Sequence, residues 1–476
     1  MKVATAVAKG NARLIISLPP RHGKSELITK NTPIWTLENY GRKNVILCTY
    51  GGELSTDFGR KVRDLVTENE HLLKIRLKAD ASRVNNWHTN LGGAMMSVGL
   101  GGPITGRGAD VLLIDDYIKE IKESLSQSHR DYIWDWFATT AFTRLEPGGS
   151  CIIIATRWHQ DDLIGRILKF NPGGNWENIV IPAFAEPPFY DDKTPVPDDW
   201  RDQFGRKFGD PLFPERYPTH VLQERKSLLG TYFFNALFQQ RPEDPNAKLT
   251  NKLWLKQIFA APVATHLKWA RVWDLAATED GGDWMVGTLC CYDKITDMFY
   301  IVDVERFQKS PGEIEKEVVK AAHRDGPNVE ILIEKEPGAS GKILIANFAN
   351  LDELRGYKVT EVPVVTNKVV RAQPFLAAVE NGHVAMLKAP WNEDFADEYD
   401  GFPAGDHDDQ VDTAGAGYAH LSGKTILRVS WGREEVNEGK TTVGEIILPD
   451  GTTYEYNPAA VVAGTMKKKA GIVWGR

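Results

Sequence analysis

Short apolar runs, each closed by Pro, Gly or an acid, alternate with stretches of helical spacing through the first half of the chain. Leu14–Leu18, Asn44–Tyr50, the run VLLIDDY ending at Tyr117, and Ser150–His159 read as strands of one sheet. Pro19 and Pro20 stop the first of them, and Ser25 onward reads helical. SQSHRDYIWDWFATTAFTRL has helical spacing, with Ile133, Phe137 and Phe142 apolar and Trp134 and Trp136 read as packing residues. From Asn175 the pattern weakens. AEPPFYDDKTPVPDDW reads as an irregular loop, and HVLQERKSLLGTYFFNALFQQRPED as a helical lid followed by a stop. RPEDPNAKL reads as a hinge, placing a boundary between Pro242 and Pro262. Beyond it come strands over KWARVWDLAAT, WMVGTLCCYD and MFYIVDVERF, an amphipathic helix over PGEIEKEVVKAAHRDG and a strand over NVEILIEKEP. A helix over GASGKILIANFANL and a strand over YKVTEVPVV complete the series. The tail from Ser422 reads as a few short strands around PDGT, with the run Lys467–Lys469 as an exposed end or a contact for a partner.

At 476 residues the chain is too long for one ordinary core, so two or three domains are expected. No apolar run reaches the roughly 18–20 residues that span a bilayer, and no membrane partner is expected. Cys48, Cys151, Cys290 and Cys291 form no CxxC pair and read as buried thiols of a reducing cytoplasm. A net charge of -7 argues against a protein that coats nucleic acid indiscriminately, yet leaves room for a local basic groove.

Chemistry enters at LPPRHGKSEL. Gly23, Lys24 and Ser25 match the end of the phosphate-binding pattern GxxxxGK[ST], while Leu18 stands where its first glycine belongs. Backbone N–H groups of Arg21, His22 and Gly23 and of the following helix would cradle phosphates. Lys24 would reach the β- and γ-phosphates, and Ser25 would hold Mg²⁺. The partner is the apolar strand ending in Asp115 and Asp116. Asp115 fits the Mg²⁺ shell and Asp116 the orientation of the attacking water; alone, the pair would pass for a helix cap. Thr156, at the tip of Ser150–His159, is placed to sense a γ-phosphate, with Arg157 as an ion-pair partner. Arg107 in the glycine-rich Gly99–Asp110 loop and Arg21 in the P-loop are the candidates for an arginine acting across subunits.

LPPRHGKSEL, GRGADVLLIDD and ATRWHQDDLIGR, in this order and spacing, resemble the large terminase subunit of tailed bacteriophages over about residues 11 to 420. In that family a deviant P-loop carrying arginine is usual. Members usually carry a further stretch before the first strand that helps hold adenine; here MKVATAVAKGN precedes it, and the adenine contacts are where this sequence departs from the pattern. The resemblance implies an α/β chain in which a doubly wound P-loop NTPase sheet is followed by an RNase H-like nuclease domain. The expected division is a packaging ATPase over residues 1–243, with 175–243 as lid, then a linker over 244–261, the nuclease over 262–423 and a tail over 424–476.

Two-metal phosphodiester cleavage needs a compact carboxylate cluster, because the two ions stand roughly 3.5–4 Å apart. Under the resemblance Asp274 comes from the first strand of that domain and Glu334 from its neighbour. Asp409 and Asp412 come from a helix opening at HDDQVD, where positions i and i+3 share a face, with His407 and Asp408 flanking. Asp409 is preferred to Asp408. Lys368 and Arg371, on an apolar helix, would either grip the DNA backbone or line a solvated face. The implied activity is ATP-driven packaging of double-stranded DNA with cutting of concatemers, using ATP and Mg²⁺, with Mn²⁺ as an alternative at the nuclease. The implied partners are a small terminase subunit and the procapsid portal, on which the chain forms a homopentamer in the host cytoplasm, absent from the mature virion. The competing readings are a helicase- or repair-type ATPase joined to a resolvase-like nuclease, and a DNA-binding scaffold with inactive sites.

Overall fold

A computed structural model describes residues 2–171, 175–188, 190, 194–243, 249–275, 284–335, 346–363, 368–405, 407–424, 444–447 and 453–456. Residues up to Leu427 form one compact unit and Arg428–Arg476 a second.

The centre of the first sheet is built on buried apolar strands, with its edge strands more exposed. β1 (Arg13–Ser17), β2 (Asn44–Thr49), β5 (Ala94–Gly99), β6 (Ala109–Asp115), β7 (Leu145–Ala155) and β8 (Glu177–Val180) run parallel. β3 (Leu77–Arg83) and β4 (Asn86–Thr89) extend one edge antiparallel, giving the order β3-β4-β5-β2-β6-β7-β1-β8. The runs are continuous rather than alternating because helices cover both faces of a parallel sheet. One face carries a core around Leu14, Leu47 and Leu113, the other a core around Ile15, Leu112 and Ile153. Trp136 lies in the second core and Trp134 packs against it. β7 lies between β1 and β6, so the loop after β1 and the acids after β6 open on the same carboxyl-end crevice, where doubly wound sheets bind ligands.

The second sheet has the order β14-β13-β10-β11-β12-β15-β9. β10 (Lys268–Asp274), β11 (Met285–Asp293) and β12 (Met298–Phe307) are antiparallel neighbours. β13 (Glu330–Lys335) joins β10 in parallel on the other side, and β14 (Val359–Pro363) follows it. β15 (Val384–Leu387) and β9 (Lys256–Ile258) close the far edge, both parallel. β9 belongs to this sheet although it falls within the stretch read as linker; three residues, two of them charged or polar, carry no strand pattern of their own. Most of the helix expected over 338–351 lies outside the described residues, as do Lys467–Lys469. In the tail, β16 (Gly444–Ile447) and β17 (Thr453–Tyr456) pair antiparallel; PDGT itself lies outside the described residues.

The helix Thr219–Leu237 is broken at Gly230, where φ is 69° and ψ 165°, a conformation that favours glycine. The backbone groups freed by the break are met by the helix Lys368–Glu380 and the residue after it. Gln373 Nε2 donates to Leu228 O at 3.1 Å and Leu229 O at 2.7 Å, and Asn381 Nδ2 to Ser227 O at 2.9 Å. Glu380 accepts from the Thr231 backbone N–H at 3.0 Å and from its hydroxyl.

Candidate functional site

The loop after β1 turns through two residues of positive φ, Arg21 at 61° and Gly23 at 86°. This delivers Lys24 to the crevice, where its Nζ lies 2.7 Å from Asp116 Oδ2. Burial opposes the Lys24 charge, but Asp116 and Asp115 outweigh it and leave its pKa raised. Asp116 is itself at φ 45° just past the end of β6, held by its backbone N–H to Ile154 O at 3.0 Å and by Tyr50 N–H to its carbonyl at 2.8 Å. Asp115 is 1% exposed and accepts from Thr29 Oγ1 at 2.7 Å. Burial, and then the neighbouring Asp116 charge, push its carboxyl up to about 6 against Lys24, Thr29 and Ser25. Its other oxygen, Oδ1, is buried without a hydrogen bond. A carboxylate oxygen left so beside a serine hydroxyl suits a hard, oxygen-seeking cation such as Mg²⁺.

Thr156 follows β7 with its hydroxyl donating to Leu18 O at 3.1 Å and its N–H to Asp116 Oδ1 at 3.3 Å. It therefore ties the start of the phosphate loop to the acidic tip. Arg157 is an ion-pair partner: its Nε lies 2.8 Å from Asp162 Oδ2, with both side chains buried. Arg107 is exposed just before β6, a strand length of roughly 20 Å from Asp115 at the other end. Sequence reasoning misses two partners of the loop. Thr29 is one; its only signal is a second hydroxyl four residues after Ser25. Tyr217 is the other, its ring stacked on His22 at 4.5 Å with 20° between planes. His22 donates from Nδ1 to Pro20 O at 2.8 Å, and burial, then Arg216, Arg225 and Arg206, lower its pKa.

The second site is set by strand register. β10 and β13 pair Trp273 with Ile333, so the next step along each strand places Asp274 beside Glu334. The helix Asp409–Ser422 lies across β10 and β11. Gly417 allows the close approach: a Cβ there would stand 2.6 Å from Cys290 Sγ. Thr413 and Thr288 hydroxyls bond at 2.7 Å, and Glu398 receives Gln410 N–H and Nε2, each at 2.6 Å, at the helix start. Glu334 feels burial first and then Asp274, with Asp412 and Asp409 adding, and its carboxyl is pushed up to about 8 against Arg371. Burial pushes Asp412 up to about 6, again against Arg371. Asp274 and Glu334 thus share one end of the sheet, and the Asp412 and Asp409 charges on the helix start act on Glu334. Asp408 pairs with Lys368, and its charge adds to the repulsion on Asp412.

Lys368 and Arg371 reach the acidic helix rather than standing on a bare face: Arg371 Nη2 is 2.7 Å from Asp412 Oδ2. Among the described residues no three His, Cys, Asp or Glu groups already stand at one ion's coordination spacing. The convergence of like charges nonetheless registers at Glu334, whose carboxyl is raised by three neighbouring acids on top of burial. Asp412 Oδ1 is buried without a hydrogen bond. The donor set, carboxylates alone, fits Mg²⁺ or Mn²⁺.

A phosphate loop facing paired acids at the carboxyl end of a parallel sheet defines a P-loop nucleotide-hydrolase arrangement. A three-strand meander followed by parallel strands, with acids on adjacent tips, defines an RNase H-like one. The profile of the terminase large subunit, T4likevirus-type, N-terminal, matches residues 15–216, and that of the terminase RNaseH-like domain matches residues 271–421. The chain belongs to the large terminase subunit family. Among solved structures it is similar to the large terminase of a thermophilic bacteriophage, at 12% identity over 87% of this chain and 95% of that one, with a TM-score of 0.47. It is also similar to that same terminase in complex with ATP-gamma-S, at 12% identity over 87% and 94%, TM-score 0.43. For the HK97 bacteriophage large terminase the figures are 13% identity over 85% and 91%, TM-score 0.33. No curated protein matches the chain.

Proposed function

We propose that this chain hydrolyses ATP at the first site to drive double-stranded DNA into a procapsid and cuts concatemeric DNA at the second. Family membership supports the class of activity. The thermophilic phage terminase was determined with ADP and with ATP-gamma-S, ligands of the kind proposed for the first site. The observation that carries the reading is the pairing of Lys24 with Asp116 beside the buried Asp115 in one crevice, together with the Asp274–Glu334 adjacency in another sheet.

At the first site a triphosphate competes with Asp116 for the Lys24 ammonium. Lys24 moving onto the phosphates frees the Asp116 carboxylate to orient the attacking water. Ser25 and Asp115 would hold Mg²⁺, which neutralises phosphate charge when bound. Thr156, bonded to both Leu18 and Asp116, passes any shift of the loop to the acidic tip. Arg21, exposed at the crest of the loop, is placed for the nucleotide or a neighbouring subunit, whereas Arg107 could serve only a neighbour. At the second site Asp274, Glu334, Asp409 and Asp412 would hold Mg²⁺ or Mn²⁺, whose chemistry is activation of water and stabilisation of the leaving oxygen. The work of the chain there is to keep four acids rigid on strand and helix ends. A small terminase subunit, a portal ring, a homopentameric assembly and action in the host cytoplasm follow from the family and belong to the same proposal.

Lys24→Ala and Asp274→Asn test it. The first should abolish ATP turnover and keep Mn²⁺-dependent nicking of plasmid DNA, and the second should do the reverse. Loss of both activities in either well-folded variant contradicts two separate sites.

A further inference from the structure

The carboxylates of the second site already carry cations supplied by the chain. Arg371 and Lys368 stand one turn apart on the helix Lys368–Glu380, facing Asp412 and Asp408 one turn apart on the neighbouring helix. The two pairs are not alike. The Asp412 side chain is 10% exposed, and that of Arg371, whose guanidinium meets it at 2.7 Å, is 23% exposed; the Lys368 side chain is 42% exposed and that of its partner Asp408 20%. The inner pair is therefore the better shielded from solvent, and Coulombic effects there are larger. The Arg371 charge also reaches Glu334 on β13, where it offsets the repulsion from Asp274. The helix bearing Arg371 is fixed to the broken helix Thr219–Leu237 through Gln373, two residues on, and Glu380 at its far end, so the guanidinium stands on a braced element.

We propose that Arg371 is a positioning residue of the nuclease cluster, a resident cation that holds Asp412 and competes with divalent ions for its oxygens. The inference rests on the nuclease reading given above. Its physical content is substitution of one charge for another: the arginine stabilises the carboxylates before an ion arrives and lowers the affinity of the ion that follows. Lys368, outside and more exposed, has a smaller effect of the same sign.

The test is calorimetric titration of the full-length, EDTA-treated protein with Mn²⁺ alone, alongside its unfolding temperature with and without Mn²⁺. The heat lost in Asp274→Asn defines binding at this cluster and separates it from the nucleotide site. Arg371→Ala should bind Mn²⁺ there about tenfold more tightly, the scale of a unit charge acting on a divalent ion at roughly 5 Å in a wet site. Its unfolding temperature without Mn²⁺ should fall, and the Mn²⁺-induced rise should exceed that of the wild type. Arg371→Lys, which keeps the charge, should stay within about twofold of wild type, whereas a merely structural arginine would not be replaced by lysine in this readout. Unchanged or weaker Mn²⁺ binding in Arg371→Ala, with Asp274-dependent heat intact, overturns the inference alone. If Asp274→Asn loses none of the wild-type Mn²⁺ heat, both it and the nuclease reading are overturned.

Discussion

Glu334→Gln should stabilise the EDTA-treated protein at alkaline pH while abolishing cleavage. In the fold the Glu334 carboxyl is pushed from 4.5 to about 8 by burial and by Asp274, Asp412 and Asp409. A carboxyl whose pKa is raised on folding costs nothing below its unfolded value. It costs progressively more as pH rises from about 4.5 to 8, because the folded state holds the proton that the unfolded state has released. At 1.36 kcal/mol per pH unit the full cost would be roughly 5 kcal/mol. Glu334 is only partly buried and its neighbours titrate with it, so about 2–3 kcal/mol is the expected share. Urea unfolding in EDTA at pH 5, 6.5 and 8 measures it. Wild type should lose about 2–3 kcal/mol across that range from this group, and Glu334→Gln should show a flatter profile and exceed wild type at pH 8. Saturating Mn²⁺ should restore wild type at pH 8 and leave the variant little changed. Equal slopes for the two proteins, or a variant less stable at pH 8, would refute the electrostatic account of the cluster.

Other outcomes follow from single contacts. Lys24→Ala should lower ATP turnover by at least about a hundredfold, the scale of losing one charge from the transition state, checked by phosphate release. Gly417→Ala should lower the urea midpoint by the equivalent of about 1–3 kcal/mol, since the new Cβ meets Cys290 Sγ at 2.6 Å; adding Cys290→Ala should return part of it. Arg271 is 1% exposed and bonds Asp325 and Asp303; Arg271→Ala should cost about 2–3 kcal/mol in the same assay, since the shielded Asp325 carboxylate would keep only the longer 3.5 Å contact to Arg324.

What the sequence makes legible is what a local pattern encodes. Apolar runs ending in acids locate β6, β10 and β13, and the acids at or beside their tips are those that converge. The i, i+3 spacing of Asp409 and Asp412 puts both on one helix face. Contacts between distant segments leave no such trace. Thr29 meets Asp115 across 86 residues, and Arg371 meets Asp412 across 41. Arg371 reads as a surface cation because its partner acid lies on another helix. The break at Gly230 is equally silent: LLGTYFF reads as unbroken helix, and only side chains of Gln373, Glu380 and Asn381 make the interruption tolerable. β9 is held as a strand by β15, not by its own residues.

The claim that one chain carries two divalent-ion centres is tested most directly by crystals soaked in Mn²⁺ with a non-hydrolysable ATP analogue and examined by anomalous scattering. The account predicts one set of peaks among Asp274, Glu334, Asp409 and Asp412, and another beside Ser25 and Asp115. Peaks absent from the first group, or Asp274 and Glu334 carboxylates turned away from each other in those crystals, would contradict it.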